Sequence, residues 1–236
     1  MLDVNIRLSL ERTMEKKMPH PSFGGFPRLF PSPSISKGVY FYNSARSCLY
    51  YLLKTLKPKS VLLPRYLCAS FIDYAQNLDI EFQFYSIDEN LLPEIPLNSI
   101  KNRDCLIVYV NYFGICSSQV KHVIDEFKSY KVVIDNSHSY KFEAEEAIAT
   151  IYSPRKFFPI SEGGLLFSDV KVEKSADFSV PNLDYFEDCL KGDLDLAFEK
   201  FKENEKLLGS VGPLMLGEYS YRILTTFLAE KHILSS

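Results

Sequence analysis

Asp135 and Lys156 are the two residues whose types and positions could do chemistry together. Asp135 closes the apolar run KVVID (131–135), and Lys156 lies in the loop SPRKFFPISEG that follows AIATIY (147–152). In open sheets of parallel strands, ligands bind beyond the carboxyl ends of the strands. The other polar groups at such ends are Asn43-Ser44-Ala45-Arg46, Pro64-Arg65-Tyr66, Asn111-Tyr112-Phe113-Gly114, Asn136-Ser137-His138 and Ser153-Pro154-Arg155. With Asp135 and Lys156, the strand ends offer one acid, one histidine, one lysine and several hydroxyls. They have no second carboxylate, no serine nucleophile elbow and no GxGxxG loop, so paired-carboxylate hydrolysis, acyl transfer and dinucleotide binding have no support. Taken singly, Asp135 reads as a cap, Lys156 as a solvated surface lysine and His138 as a structural histidine. Glu162-Gly163-Gly164 alone is a tight turn into a strand. Together they match one chemistry. Pyridoxal phosphate is held as a Schiff base to a lysine, with a carboxylate keeping its ring nitrogen protonated. A helix N-terminus with hydroxyls or an arginine nearby receives its phosphate.

The elements that must position these groups alternate along the chain. VYFYN (39–43), VLLP (61–64), EFQFYSI (81–87), DCLIVYV (104–110), KVVID, AIATIY and GLLFSD (164–169) read as strands. Several are continuous apolar runs of the kind covered on both faces. Between them, Ala45, Cys48, Leu49, Leu52 and Leu56 share a helical face, as do Leu67, Phe71 and Tyr74 within 66–78. Val120, Val123, Ile124 and Phe127 do the same within 117–130. This pattern predicts an α/β fold with a mostly parallel central sheet and flanking helices. After residue 182 the spacing predicts helices over roughly 183–208 and 218–232. Residues 1–37 stand apart: Leu2, Val4, Ile6, Leu8 and Leu10 alternate like a short strand. The stretch PHPSFGGFPRLFPSPSIS, with five prolines, then reads as an extended arm. Met18 is an alternative start to Met1.

The 236 residues are 46% hydrophobic and 24% charged, an ordinary globular balance. A net charge of −3 and no long basic block argue against a nucleic-acid partner. Without an apolar run of spanning length, no membrane span is expected. Five cysteines lack metal-ligand spacing; four lie in apolar segments and read as buried thiols of a cytoplasmic protein, with no metal site.

Over roughly residues 38–230 the chain resembles the DegT/StrS family of sugar aminotransferases, built on fold type I of the pyridoxal-phosphate enzymes. The likeness rests on Tyr42-Asn43-Ser44-Ala45-Arg46-Ser47-Cys48-Leu49, on VLLPRY (61–66), and on Val110-Asn111-Tyr112-Phe113-Gly114. It continues in Ile134-Asp135-Asn136-Ser137-His138 and in Lys156 followed six residues later by Glu162-Gly163-Gly164. The resemblance implies that Asp135 pairs with the pyridine nitrogen and His138 lies on the phenolic-oxygen side. Lys156 would be the Schiff-base lysine and proton carrier. It places Ser44, Ala45 and Arg46 at the start of the phosphate-binding helix, where most members have Gly-Thr or Ser-Thr in place of Ala45-Arg46. Cys68 falls where many members stack an aromatic ring on the cofactor. Ile151 falls at a phosphate-binding serine, leaving Thr150 or Ser153 to substitute. The related dehydratases carry His in place of the lysine, and Lys156 argues against them.

The implied activity is transamination of a keto group on a nucleotide-linked sugar, in cell-surface polysaccharide or related sugar biosynthesis. Glutamate is the implied amino donor, and a homodimer the implied assembly. Domains are expected at 1–37 (arm), 38–182 (cofactor-binding α/β domain) and 183–236 (helices leading to a C-terminal domain that is missing or vestigial). The alternative is a truncated, non-catalytic paralogue of the same fold.

Overall fold

A computed structural model describes residues 38–96, 100, 102–143, 145–180 and 183–233. The expected arm, 1–37, lies outside the described residues. The strands are β1 (Gly38–Tyr42), β2 (Ser60–Pro64), β3 (Glu81–Ile87), β4 (Pro93–Glu94), β5 (Cys105–Val110), β6 (Lys131–Asp135), β7 (Ala149–Tyr152) and β8 (Gly164–Ser168). They form one sheet in the order β1-β8-β7-β6-β5-β2-β3-β4. The central pairs β3–β2, β2–β5, β5–β6 and β6–β7 are parallel; β7–β8, β8–β1 and β3–β4 are antiparallel. The expected mostly parallel α/β sheet is therefore what the chain forms.

Both faces of the sheet are covered, which is why its central strands are apolar throughout. On β5, Leu106 and Val108 pack with Leu49, Leu52 and Leu53 of helix α1 (Ala45–Leu56). Ile107 and Tyr109 point the other way, onto Val120 and Val123 of helix α2 (Ser117–Glu126) and onto Phe127. The period-two alternation of a strand sorts one continuous run into two cores. Three further helices follow: α3 (Asp184–Lys191), α4 (Leu194–Ser210) and α5 (Glu218–Ile233). Leu224 of α5 packs on Ile160 and Leu216, near Phe41.

Three expectations are corrected. Residues 66–78 form two short 3-10 turns, Ala69–Ile72 and Ala75–Asn77, and no α-helix. Asp73 and Tyr74, between the turns, are drawn into contacts with Arg46 and the Leu208 carbonyl. The expected 183–208 helix is two helices. Gly192 caps the first at φ +82°, and Asp193 accepts from Leu196 N–H to begin the second. Of the five thiols, all of them free, Cys48, Cys105 and Cys116 are buried while Cys68 and Cys189 are exposed. Cys68 lines a cleft, while Phe71 and Ala75 of the same stretch join the core. Among the described residues no helix is long and apolar enough to cross a membrane.

Candidate active site

Strand direction decides which residues can meet. β2, β5, β6 and β7 are parallel, so Pro64, Val110, Asp135 and Tyr152 end at one edge of the sheet. β1 is antiparallel to β8, which is antiparallel to β7; β1 therefore runs with β7 and delivers Ser44 to the same edge. A cleft of about 320 Å³ opens there. Of the residues singled out in the sequence, Ser44, Ala45, Arg46, Cys68, Asp135, His138, Ser153 and Lys156 all line it. Thr150 does not: it is buried, and its hydroxyl accepts the Glu145 N–H.

Ser44 is the N-cap of α1, its hydroxyl accepting from Ser47 N–H at 3.3 Å and lying 2.8 Å from the Ser47 hydroxyl. A helix start of this kind carries partial positive charge and favours an anion. Asn43 anchors it: its side-chain oxygen accepts the Ser47 hydroxyl at 2.5 Å, and its amide donates to the Gly212 carbonyl. Gly163 N–H donates to the Asn43 carbonyl, drawing the Glu162-Gly163-Gly164 turn against the helix start. The approach is so close that a Cβ on Gly164 would stand 2.1 Å from the Ser44 carbonyl oxygen. The Arg46 guanidinium is held by Asp73 at 3.2 Å and lies over the Tyr74 ring.

At the end of β6, Asp135 is buried, and its carboxylate accepts Ser137 N–H at 2.9 Å. Desolvation lifts its pKa above the ordinary carboxylate value against the opposing pull of Ser137, Lys156 and His138. Lys156 ends a one-turn 3-10 helix, Pro154–Lys156. Burial and the neighbouring Arg155 push its pKa down while Asp135 draws it up; the net direction is down. His138 is also pushed down, first by burial and then by the charge of Lys156. A lysine that gives up its proton more readily than usual is a better nucleophile and acid–base group.

Sequence reasoning did not anticipate the buried links behind these groups. Asn111 donates to Asn136 at 2.9 Å, and Asn136 donates to the Tyr152 hydroxyl at 2.9 Å, a chain across the ends of β5, β6 and β7. Asn111 and Asn136 stood among the strand-end residues, so the signal was there; only the pairing was hidden. Gly114, at φ +71°, lets the turn after β5 reach the His138 carbonyl, which a Cβ would meet at 2.5 Å. Tyr66 stacks on Tyr112 and Phe113 on His138 at the rim. Glu205 lies in the stretch 201–205 that resembles the family's sequence, but the sequence assigned it no part in the site; it holds Arg155 from α4.

The chain matches no protein-family model and no curated protein. Solved structures do resemble it. NtdA from Bacillus subtilis, with bound cofactor PMP, matches at a TM-score of 0.50 and 15% identity over 72% of this chain and 43% of its own. A DegT DnrJ EryC1 StrS aminotransferase from Brucella abortus gives 0.46 and 13% identity, over 71% and 51%. DesI, in the presence of its TDP-sugar product, gives 0.42 and 15%, over 56% and 37%. This chain thus spans about two fifths to one half of the length of the proteins it is similar to. Its fold is that of fold type I, a mostly parallel sheet between helices, with a cleft at the strand ends.

Proposed function

We propose that the chain is a pyridoxal-phosphate-dependent aminotransferase acting on a keto group of a nucleotide-linked sugar, in cell-surface polysaccharide or related sugar biosynthesis. Glutamate is the proposed donor, and the working form a homodimer with the cleft at its interface. Residues 38–182 form the cofactor-binding part in this reading and 183–236 its helical continuation. The observation that carries it is the convergence of Lys156, Asp135 and the Ser44 helix start in one cleft. The sugar, the nucleotide link and the donor rest on the sequence resemblance.

The residues present fit the cofactor. A desolvated acid at the cleft floor matches a ring nitrogen that must stay protonated. A readily deprotonated amine matches an aldehyde, and a serine-capped helix start matches a phosphate dianion. When bound, pyridoxal phosphate supplies the electron sink for a carbanion at the substrate carbon. With the cofactor bound, Asp135 would hold the proton at the ring nitrogen, and Lys156 would carry the cofactor and move a proton at the substrate carbon through its Nζ. His138 would lie on the phenolic-oxygen side. Ser44, the N–H groups of Ala45 and Arg46, and Ser153 would receive the phosphate, while Cys68 would face the ring as a soft, polarisable group.

The test is to add pyridoxal phosphate to the purified chain, record the visible band, reduce with borohydride and locate the adduct by mass spectrometry. The adduct is expected on Lys156 and should vanish in Lys156→Ala, with the fold retained because a loop lysine contributes little to stability. Glutamate should then bleach the band, and a nucleotide-linked keto sugar should restore it. An adduct that persists in Lys156→Ala removes the lysine assignment. A band that glutamate does not bleach favours the non-catalytic paralogue.

A further inference from the structure

One helix grips the Lys156 loop at both ends. At its start, Arg155 Nη1 and Nη2 donate to Glu205 Oε1 and Oε2 at 2.6 and 2.9 Å. At its far end, Asn204 Nδ2 donates to the Ser161 carbonyl at 3.0 Å. Asn204 and Glu205 are consecutive on α4, and neither lines the cleft. Between the two grips, the loop has a single 3-10 turn for regular structure and carries Pro154 and Pro159. Such a turn has little rigidity of its own, so its place is set by what holds its ends. A forked guanidinium–carboxylate pair fixes both distance and plane, which a lysine's point charge would not do.

We propose that Asn204 and Glu205 are positioning residues that hold the Lys156 amine in place, Glu205 through Arg155 and Asn204 through Ser161. The assignment rests on the reading of Lys156 as the cofactor-bearing amine. It gives α4 a part in the site that reading the sequence did not assign to it.

The pair also balances charge. Lys156 is faced by Asp135 from the end of β6, His138 from the following loop, Cys68 from the opposite wall, its neighbour Arg155, and Glu205 from α4. Asp135, Cys68 and Glu205 favour the ammonium form; Arg155 and burial disfavour it. Neutralising Glu205 therefore leaves Arg155 uncompensated beside Lys156, and the amine should lose its proton at lower pH.

The experiment uses the full chain without cofactor. Trace labelling of Lys156 with acetic anhydride across pH, read by mass spectrometry, gives its half-labelling pH. Hydrogen exchange over 154–162 reports how firmly the loop is held. In Glu205→Gln the half-labelling pH should fall by roughly half a unit, and exchange in the loop should speed up about tenfold. Asn204→Ala should speed exchange with no shift in half-labelling pH. Arg155→Lys, which keeps the charge and loses the fork, should also loosen the loop at an unshifted pH. Glu203→Gln, on the exposed face of the same helix, should change neither. Wild-type behaviour in Glu205→Gln overturns the proposal, as does faster exchange spread evenly over β5 to β8, which would mark general destabilisation. Neither readout involves the cofactor. Failure to form a reducible adduct with the brace intact would sink the functional reading alone.

Discussion

Burial at the floor of the cleft favours the neutral form of Asp135, whereas Ser137, Lys156 and His138 all favour its carboxylate; burial wins and the pKa rises. The sign of the resulting pH dependence follows. The native state binds a proton more readily than the unfolded chain, so this residue's contribution falls as pH rises from the ordinary carboxylate range through the raised native value. Asp135→Asn keeps an oxygen for the Ser137 N–H and removes the buried charge. Without cofactor, the variant should melt roughly 2–4 °C above the wild type near neutral pH. The gap should close in acid, where the wild-type carboxyl is protonated in both states. Added pyridoxal phosphate should reverse the order, because the paired carboxylate stabilises the loaded wild type and the amide does not. Melting curves from about pH 4 to pH 8 check both halves. A variant less stable than wild type at neutral pH without cofactor would mean that Lys156 and Ser137 outweigh desolvation.

Among the elements, the tightest junction joins the start of β8 to the N-cap of α1. Gly164→Ala would place a methyl group 2.1 Å from the Ser44 carbonyl oxygen and 2.3 Å from its carbon, both backbone atoms that cannot swing aside. Overpacking in a well-filled region costs about 1–3 kcal/mol and more against backbone, so Gly164→Ala should lose about 3 kcal/mol in urea unfolding. It should also weaken pyridoxal-phosphate binding, because Ser44, against which it would press, caps the helix start at the cleft. Wild-type stability in the alanine variant would mean that the turn can retreat from α1. Central strands such as β5 and β6 were legible because burial on two faces makes them read as apolar runs, and the partly exposed β3 was read as a strand as well; β3 and β6 match their sequence bounds residue for residue. The antiparallel turn-back of β8 was not legible, since hydrophobic runs carry no direction. Nor was β4, two residues long and dependent on β3 for its pairing. At the site, the types of Asp135, His138 and Lys156 were readable because strand ends gather at one edge. The partners that tune them come from far along the chain: Glu205 lies fifty positions from Arg155, and Gly212 reaches Asn43 from farther still. Tertiary pairings of this kind leave no local pattern.

At the level of the whole molecule, two exposed apolar regions compete to explain how copies would pair. One is the cleft rim, where Tyr66 and Phe113 are 58 and 61% exposed, continued by Ile115, 76% exposed, two residues beyond Phe113. The other is the outer face of α3 and α4, with Leu190, Leu194 and Phe198. They differ in how far the chain itself has already covered them. Lys202 lays its ammonium 4.4 Å from the centre of the Phe198 ring, and long charged side chains of this kind screen a helix face from water. At the rim, Tyr66 stacks on Tyr112 and Phe113 on His138, but among the described residues no ammonium or guanidinium lies over the Tyr66 or Phe113 ring. Phe113 also sits in the left-handed region at φ +57°, a costly backbone for an aromatic residue. Leaving a large aliphatic group in water forgoes about 1.5–3 kcal/mol relative to burial. A second copy over the rim would recover that energy and also exclude water from Asp135 and Lys156, strengthening their electrostatic coupling. The proposed homodimer should therefore close over the rim. Light scattering at micromolar concentration should give twice the chain mass, Ile115→Glu should give a monomer, and Phe198→Glu should remain a dimer. A monomeric wild type would end the dimer proposal. A dimer broken by Phe198→Glu and spared by Ile115→Glu would move the interface to the helices, leaving the cleft to a single chain.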